Sequence, residues 1–177
     1  ILAAMLDDGG EYARHILDGD IHEFNRKAAK LETRSESKRL LYSMLFGAGD
    51  ALLGSIVKGG RKEGKQLRDN FETSVPAFKK LNKDLKLAYK RGYLYGLDKR
   101  KLYIRSEGRL LSQLLQSGGA LVAKKWLQLV DQYIEDSGLR DKIIILGWIH
   151  DELQISIDKE LDIDEQSNKF KELSQWA

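Results

Sequence analysis

Thr33-Arg34-Ser35-Glu36-Ser37-Lys38-Arg39-Leu40-Leu41-Tyr42-Ser43-Met44-Leu45-Phe46-Gly47 is the stretch from which the rest of the chain is read. Thr-x-x-Glu at its start is the pattern of a capping box, with Thr33 at the N-cap and Arg34 in the first turn of a helix. Arg34, Lys38, Tyr42 and Phe46 then follow one another at intervals of four. Residues four apart are neighbours on one helix face, about 6 Å apart along the axis. Two cations followed by two aromatic rings therefore make a stripe that runs from charged to flat. A nucleoside triphosphate has the matching layout, and the positive end of the helix dipole stands where its phosphates would lie. A solvated pair of cations followed by two core rings accounts for the same four residues.

Composition narrows the setting. The chain has 177 residues, enough for one domain or two small lobes with a real core. Hydrophobic residues make up 42% and charged residues 32%, an ordinary soluble composition. With no cysteine there is no disulfide framework, thiolate metal site or cysteine nucleophile. His15, His22 and His150 are too scattered to suggest zinc. No stretch is long enough to span a membrane, and Ile1–Leu6 lacks the basic flank of a signal peptide. A cytoplasmic setting, in a bacterium or a phage-infected host, is expected. The chain opens without methionine and in mid-pattern, so it reads as a fragment.

Net charge is only +3, but it is unevenly spread. Lys79 to Arg105 holds ten basic residues against Asp84 and Asp98, whereas Asp158 to Glu172 holds six acids against three lysines. The basic stretch also carries Tyr89, Tyr93, Tyr95 and Tyr103. That mixture suits a polyanion that offers flat bases, and it equally suits a solvated, highly charged helix and hairpin.

Outward from the ladder, the first half reads as helical: 11–19 closed by Gly19, then a helix from Asp20 to about Leu31, then Arg34 to about Phe46. Gly54 to Gly64 is broken by glycines, and a further helix is expected over 62–72. Val75 precedes the only proline and should be extended, so Pro76 opens a helix at 77–90. Residues 91–105 read as a short hairpin with Gly96-Leu97-Asp98 near its turn. A long helix covers about 109–136, where Gly118-Gly119 marks the close approach of another backbone. Ile143-Ile144-Ile145-Leu146 starts one strand, and Leu153, Ile155 and Ile157 alternate in another. The polar triplet His150-Asp151-Glu152 falls at the tip between them. The acidic tail is helical at best.

Two chemical patterns remain. Asp151-Glu152 at the end of a strand puts two carboxylates into one small volume, which suits Mg²⁺ with its oxygen ligands or a plain solvated turn. Gly59-x-x-x-x-Gly64-Lys65 has seven positions of a P-loop, but Gln66 stands where a hydroxyl is needed. That segment reads as a flexible basic loop. No Gly-x-Ser-x-Gly elbow is present.

Arg34-x-x-x-Lys38-x-x-x-Tyr42-x-x-x-Phe46-Gly47, followed about a hundred residues later by His150-Asp151-Glu152, resembles the family A DNA polymerases, nearest their bacteriophage-replicase branch. Asp18-Gly19-Asp20-Ile21-His22, Gly96-Leu97-Asp98-x-Arg100-Lys101 and Leu114-Leu115-Gln116-Ser117-Gly118-Gly119-Ala120 fit the same resemblance, in one order over nearly the whole chain. It implies an α+β fold, a mostly helical fingers subdomain plus part of a palm with a short antiparallel hairpin. The implied boundaries are 1–10 for the end of a palm segment, 11–108 for fingers and 109–177 for palm.

The resemblance also implies an activity, DNA-directed DNA synthesis from dNTPs on primer-template DNA, with two Mg²⁺ ions. Asp151 would be a metal ligand, with Glu152, His150 and Lys38 completing the catalytic set. His22, Arg34, Lys38 and Tyr42 would hold the nucleotide, and Phe46, Arg105, Ser112 and Gln116 would contact DNA. No membrane is implied, and a processivity factor would act through other regions. The chain departs from the family pattern at Ser43 for Gly, Phe46 for Tyr, Gly108 for His or Arg, and Ser112 for Asn. The family's first metal aspartate falls upstream of Ile1, so half a metal site and no activity in isolation are expected. A non-catalytic DNA-binding remnant and a single-subunit RNA polymerase stay open as alternatives; Glu152 after His150-Asp151 favours the DNA polymerase.

Overall fold

The buried side chains of the ladder helix settle its orientation. Helix α4 (Arg34–Leu45) buries Ser37, Leu40, Leu41 and Met44, the i, i+3, i+4, i+7 stripe of a helix packed on one side. Each fully buried leucine contributes about 2 kcal/mol by leaving water. The computed structural model describes every residue except Asp151. The fold is α+β and mostly helical, with two separate two-stranded antiparallel sheets. Two compact units divide the chain, Ile1–Gly118 and Gly119–Ala177.

In the first unit, α1 (Leu2–Met5), α2 (Glu11–Leu17), α3 (Ile21–Ala29), α4, α5 (Asp50–Ser55), α6 (Arg61–Ser74) and α7 (Pro76–Arg91) surround one core. Leu40, Leu53, Phe71 and Phe78 are almost fully buried in it, and the rings of Phe71 and Phe78 meet edge to face at 5.2 Å. Pro76 opens α7, whereas Val75, expected to be extended, takes φ −126° and ψ 75°, neither helical nor extended, as the residue shared by the end of α6 and the start of α7. Gly92, at φ 86°, turns the chain into strand β1 (Tyr93–Tyr95), which pairs with β2 (Lys101–Tyr103). A single 3-10 turn, Glu107–Arg109, then leads into α8 (Leu110–Asp136), the helix that crosses the boundary between the units.

The glycine-rich segment is a correction. Residues 50–55 form α5, and α6 starts at Arg61, so Gly64-Lys65 is helix rather than flexible loop. Glu63 Oε2 accepts the Gly60 N–H at 2.7 Å and caps the new helix. A Cβ on Gly64 would lie 1.7 Å from the Asp50 carbonyl oxygen, and one on Gly54 would lie 1.8 Å from that of Gly60. These glycines let two helices touch backbone to backbone, a role with no need of phosphate. Gly118 is a second correction: its neighbours are the side chains of Ile1 and Leu97, 3.0 and 3.1 Å from a built Cβ, not another backbone.

In the second unit, β3 (Ile143–Ile149) and β4 (Glu152–Ile157) form the hairpin, with a register shift between Ile145 and Gly147. Its inward residues pack with Val130, Ile134 and Phe170. The acidic tail is a full helix, α9 (Ile163–Trp176), capped by Asp162 and anchored by buried Gln166 and Phe170. Trp126 Nε1 donates to the Phe170 carbonyl at 3.0 Å, and Tyr133 donates to Gln166 Oε1 at 3.0 Å. Among the described residues, no helix is long and apolar enough to cross a membrane.

Candidate functional site

The capping box forms as its sequence demands. Thr33 Oγ1 accepts the Glu36 N–H at 3.1 Å, and Glu36 Oε2 accepts the Thr33 N–H at 2.9 Å. With that end fixed, Arg34, Lys38, Tyr42 and Phe46 all lie on the solvent face of α4. Tyr42 is 49% exposed and Phe46 61% exposed, so neither ring is core. The stripe is an open surface of two cations and two rings backed by a packed face.

Three groups frame the cationic end. Asp20 caps α3 through Oδ1, which accepts the N–H groups of His22 at 2.9 Å and Glu23 at 3.2 Å. Its other oxygen, Oδ2, accepts from Arg34 Nε at 2.7 Å. The Arg34 bond, with the two backbone donors, pulls the Asp20 carboxyl from its ordinary 3.8 down to about 2. Ser37 Oγ donates to the His22 carbonyl at 2.6 Å, a second tie between α3 and α4. His22 is therefore held beside the start of the ladder, and its buried Nδ1 has no partner among the described residues. Lys38 makes no ion pair among the described residues.

The aromatic end is shaped by a backbone contact. Phe46 ends α4, and Gly47 follows at φ 78°. A Cβ on Gly47 would fall 1.5 Å from the Gly108 carbonyl oxygen, so only glycine permits this approach. A Cβ on Gly108, by contrast, would come no nearer than 3.7 Å to Gly47. Arg68 fastens the next loop, donating through Nε to Asp50 Oδ1 and through Nη2 to the Ala48 carbonyl, both at 2.8 Å.

The remaining candidates are placed unequally. Arg105 and Gln116 are exposed. Ser112 is buried, and its hydroxyl donates back to the Arg109 carbonyl at 3.1 Å. In the second unit, Ile149 pairs with Glu152 across the hairpin. His150 takes φ 57°, and Trp148 Nε1 donates to its carbonyl while the Trp148 ring meets Trp126 edge to face at 5.7 Å. Glu152 is exposed as the first residue of β4. Asp151, the expected metal ligand, lies outside the described residues. Among the described residues, no three His, Cys, Asp or Glu side chains gather as a metal site would require. Asp20 and Trp148 are not among the site residues expected from the sequence; Asp20 stands three residues before Glu23, a capping pattern.

Residues 15–175 match the family described as DNA polymerase family A. The chain belongs to that family. Among family A relatives, the DNA-directed DNA polymerase of Enterobacteria phage T3 is 37% identical, over 84% of this chain and 24% of its own length. The DNA-directed DNA polymerase of Escherichia phage T7 is 36% identical over the same shares. The chain thus spans about a quarter of the length of the curated relatives it matches. A solved structure, the POL domain of Pol1 from M. smegmatis in complex with DNA primer-template and dNTP, superposes with a TM-score of 0.77 at 23% identity, covering 99% of this chain and 34% of that one. That likeness shows that the chain shares the fold of that domain.

Proposed function

We propose that this chain supplies the nucleotide-holding helix of a DNA-directed DNA polymerase, which adds dNTPs to a primer 3′ end along a template. The observation that carries the reading is the exposed Arg34-Lys38-Tyr42-Phe46 stripe on a helix whose opposite face is core, in a chain of family A. The relatives named as DNA-directed DNA polymerases favour DNA over RNA synthesis. Residues 11–108 act as fingers, and 1–10 and 109–177 as palm segments.

The reaction joins the primer 3′ oxygen to the α-phosphorus and releases pyrophosphate as the α–β bridging bond breaks. Such transfer is mostly a matter of positioning and charge neutralisation. Arg34 and Lys38, one turn apart, face successive phosphates, and the first-turn amides of α4 add their dipole. His22, tied to Arg34 through Asp20, adds a third contact. Tyr42 carries the sugar and base, and Phe46 stacks beside the nascent pair. Arg105 and Gln116 contact DNA, and Ser112 does so only through the small surface it leaves exposed. Asp151 and Glu152 carry the oxygen donors that Mg²⁺ takes, with His150 beside them. The described residues do not by themselves complete a metal site.

The test is primer extension by the full-length protein carrying Lys38→Ala, with Arg39→Ala as the control from a different face of the same helix. Lys38→Ala should remove nearly all activity and raise the KM for dNTP, while Arg39→Ala leaves both within about twofold. Normal extension by Lys38→Ala would sink the reading.

A further inference from the structure

The β1–β2 hairpin carries a surface that the nucleotide site does not use. Tyr93 pairs with Tyr103 across the strands, and Tyr95 pairs with Lys101. Side chains alternate along a strand, so Tyr93, Tyr95, Lys101 and Tyr103 share one face. The other face, Leu94 and Leu102, packs into the core. The core thereby fixes which way the tyrosines look. Tyr95 is 51% exposed and Tyr103 77% exposed, more than any packing role explains.

Cations are built into the same face. The Arg91 guanidinium lies 4.8 Å from the Tyr93 ring centre and 5.8 Å from that of Tyr95. Lys101 Nζ lies 5.0 Å from the Tyr93 ring centre. Tyr93 and Tyr95 meet edge to face at 5.3 Å. Tyr93 is thus clamped, whereas Tyr95 and Tyr103 keep ring surface open. Lys99, at φ 63° in the turn, puts a further charge at the hairpin's end. The turn itself is held by Gly96 and Lys99 backbone bonds at 2.9 Å and by the Asp98–Arg100 ion pair.

We infer that this face of the hairpin is a docking platform for single-stranded nucleic acid, with Tyr95 and Tyr103 stacking unpaired bases and Arg91, Lys99 and Lys101 meeting the phosphates. Rings pre-set on a sheet lose little freedom on binding, and every base offers a flat face to them. A duplex hides its base faces, so the platform selects unpaired strand. An acidic protein segment would use the cations but would leave two open rings without a purpose. The inference rests on the proposed function only for the strand's identity, which in a polymerase is the unpaired template.

The test uses the full-length protein with a fluorescent dT20 strand and a blunt duplex as probes. Tyr95→Ser with Tyr103→Ser should weaken dT20 binding about 10-fold or more, since stacking on each ring is worth a factor of about 5 or more. Duplex binding, the melting temperature and the KM for dNTP on a template with a one-nucleotide overhang should stay within about twofold, and Tyr→Phe at both sites should restore dT20 binding. Lys99→Gln should lower the slope of log affinity against log salt by about 0.7. Unchanged dT20 binding in the double serine variant overturns the inference. So does an oligoglutamate peptide that displaces dT20 equally well from wild type and variant, which would mark an acidic-protein surface. Normal extension by Lys38→Ala alongside lost dT20 binding in the tyrosine variant would overturn the polymerase reading and leave the platform standing.

Discussion

Asp20 and Arg34 stand fourteen residues apart in sequence and meet at 2.7 Å, carboxylate Oδ2 to guanidinium Nε. The arrangement leaves Nη1 and Nη2 of Arg34 without partners among the described residues, directed by a carboxylate that is itself fixed to the start of α3. Both side chains are about half exposed, so the pair contributes little to stability and more to orientation.

The folded Asp20 carboxyl titrates near 2, below its ordinary 3.8. A depressed carboxyl pKa means its stabilising contribution is fully present above the unfolded value of about 3.9 and is lost as pH falls through the folded value. Carboxyl ¹³C NMR should place the Asp20 midpoint near 2 in the wild type and closer to the ordinary value in Arg34→Ala. An unmoved midpoint in that variant would show that the backbone donors of α3, not Arg34, set the shift.

Gly47 and Gly108 should respond in opposite ways. Gly47 has positive φ and a carbonyl oxygen where a Cβ would go, so Gly47→Ala forces the end of α4 off the 107–109 turn. We expect a loss of about 3 kcal/mol in urea unfolding. Gly108→Ala meets nothing closer than 3.7 Å and should be within about 0.5 kcal/mol of wild type. Equal losses at the two positions would show that the close approach is not a feature of the folded protein.

The α5–α6 contact gives a third comparison. Gly64→Ala would bring its Cβ to 1.7 Å from the Asp50 oxygen and 2.6 Å from the Gly54 nitrogen, both rigid backbone. It should cost about 3 kcal/mol. Gly49, the N-cap of α5, has φ −74°, no side-chain cap and open space around it. Gly49→Ser supplies the missing cap and should gain about 0.5 kcal/mol. A neutral Gly64→Ala would return that segment to the loop that its glycines suggest.

How much was legible follows from the range of each interaction. Thr33 and Glu36 are three residues apart and the rungs of the ladder four apart, so the capped helix and its stripe are visible in the sequence. The hairpins at 93–103 and 143–157 also declare themselves, through local alternation and turns. What the sequence hid is long-range. Gly54 and Gly64 look like breakers until α5 and α6 are seen to touch through them. The tail looks too acidic for more than a weak helix, but Phe170 and Gln166 are held by Trp126 and Tyr133, more than thirty residues away. Ser112 sits at a position read as a DNA contact, and nothing local shows that it is largely buried. The roles assigned to single site residues were legible only through the family resemblance, because a solvated cation and a ligand-binding one look alike in a sequence.

Tyr42 separates the nucleotide-site reading from a merely exposed helix. Its ring is half exposed on the ladder, and its hydroxyl has no partner among the described residues. In the proposed complex that hydroxyl lies near the sugar, where it can stand in for the missing 3′ hydroxyl of a dideoxynucleotide. Phenylalanine fills the same space without the donor. Tyr42→Phe should therefore leave kcat/KM for dNTPs within about threefold and lower it for dideoxynucleotides by at least about tenfold, the worth of one well-placed hydrogen bond. Because the side chain faces solvent, the melting temperature should not move. A wild-type protein that already rejects dideoxynucleotides strongly, with the same ratio in Tyr42→Phe, would show that this helix face does not hold the sugar.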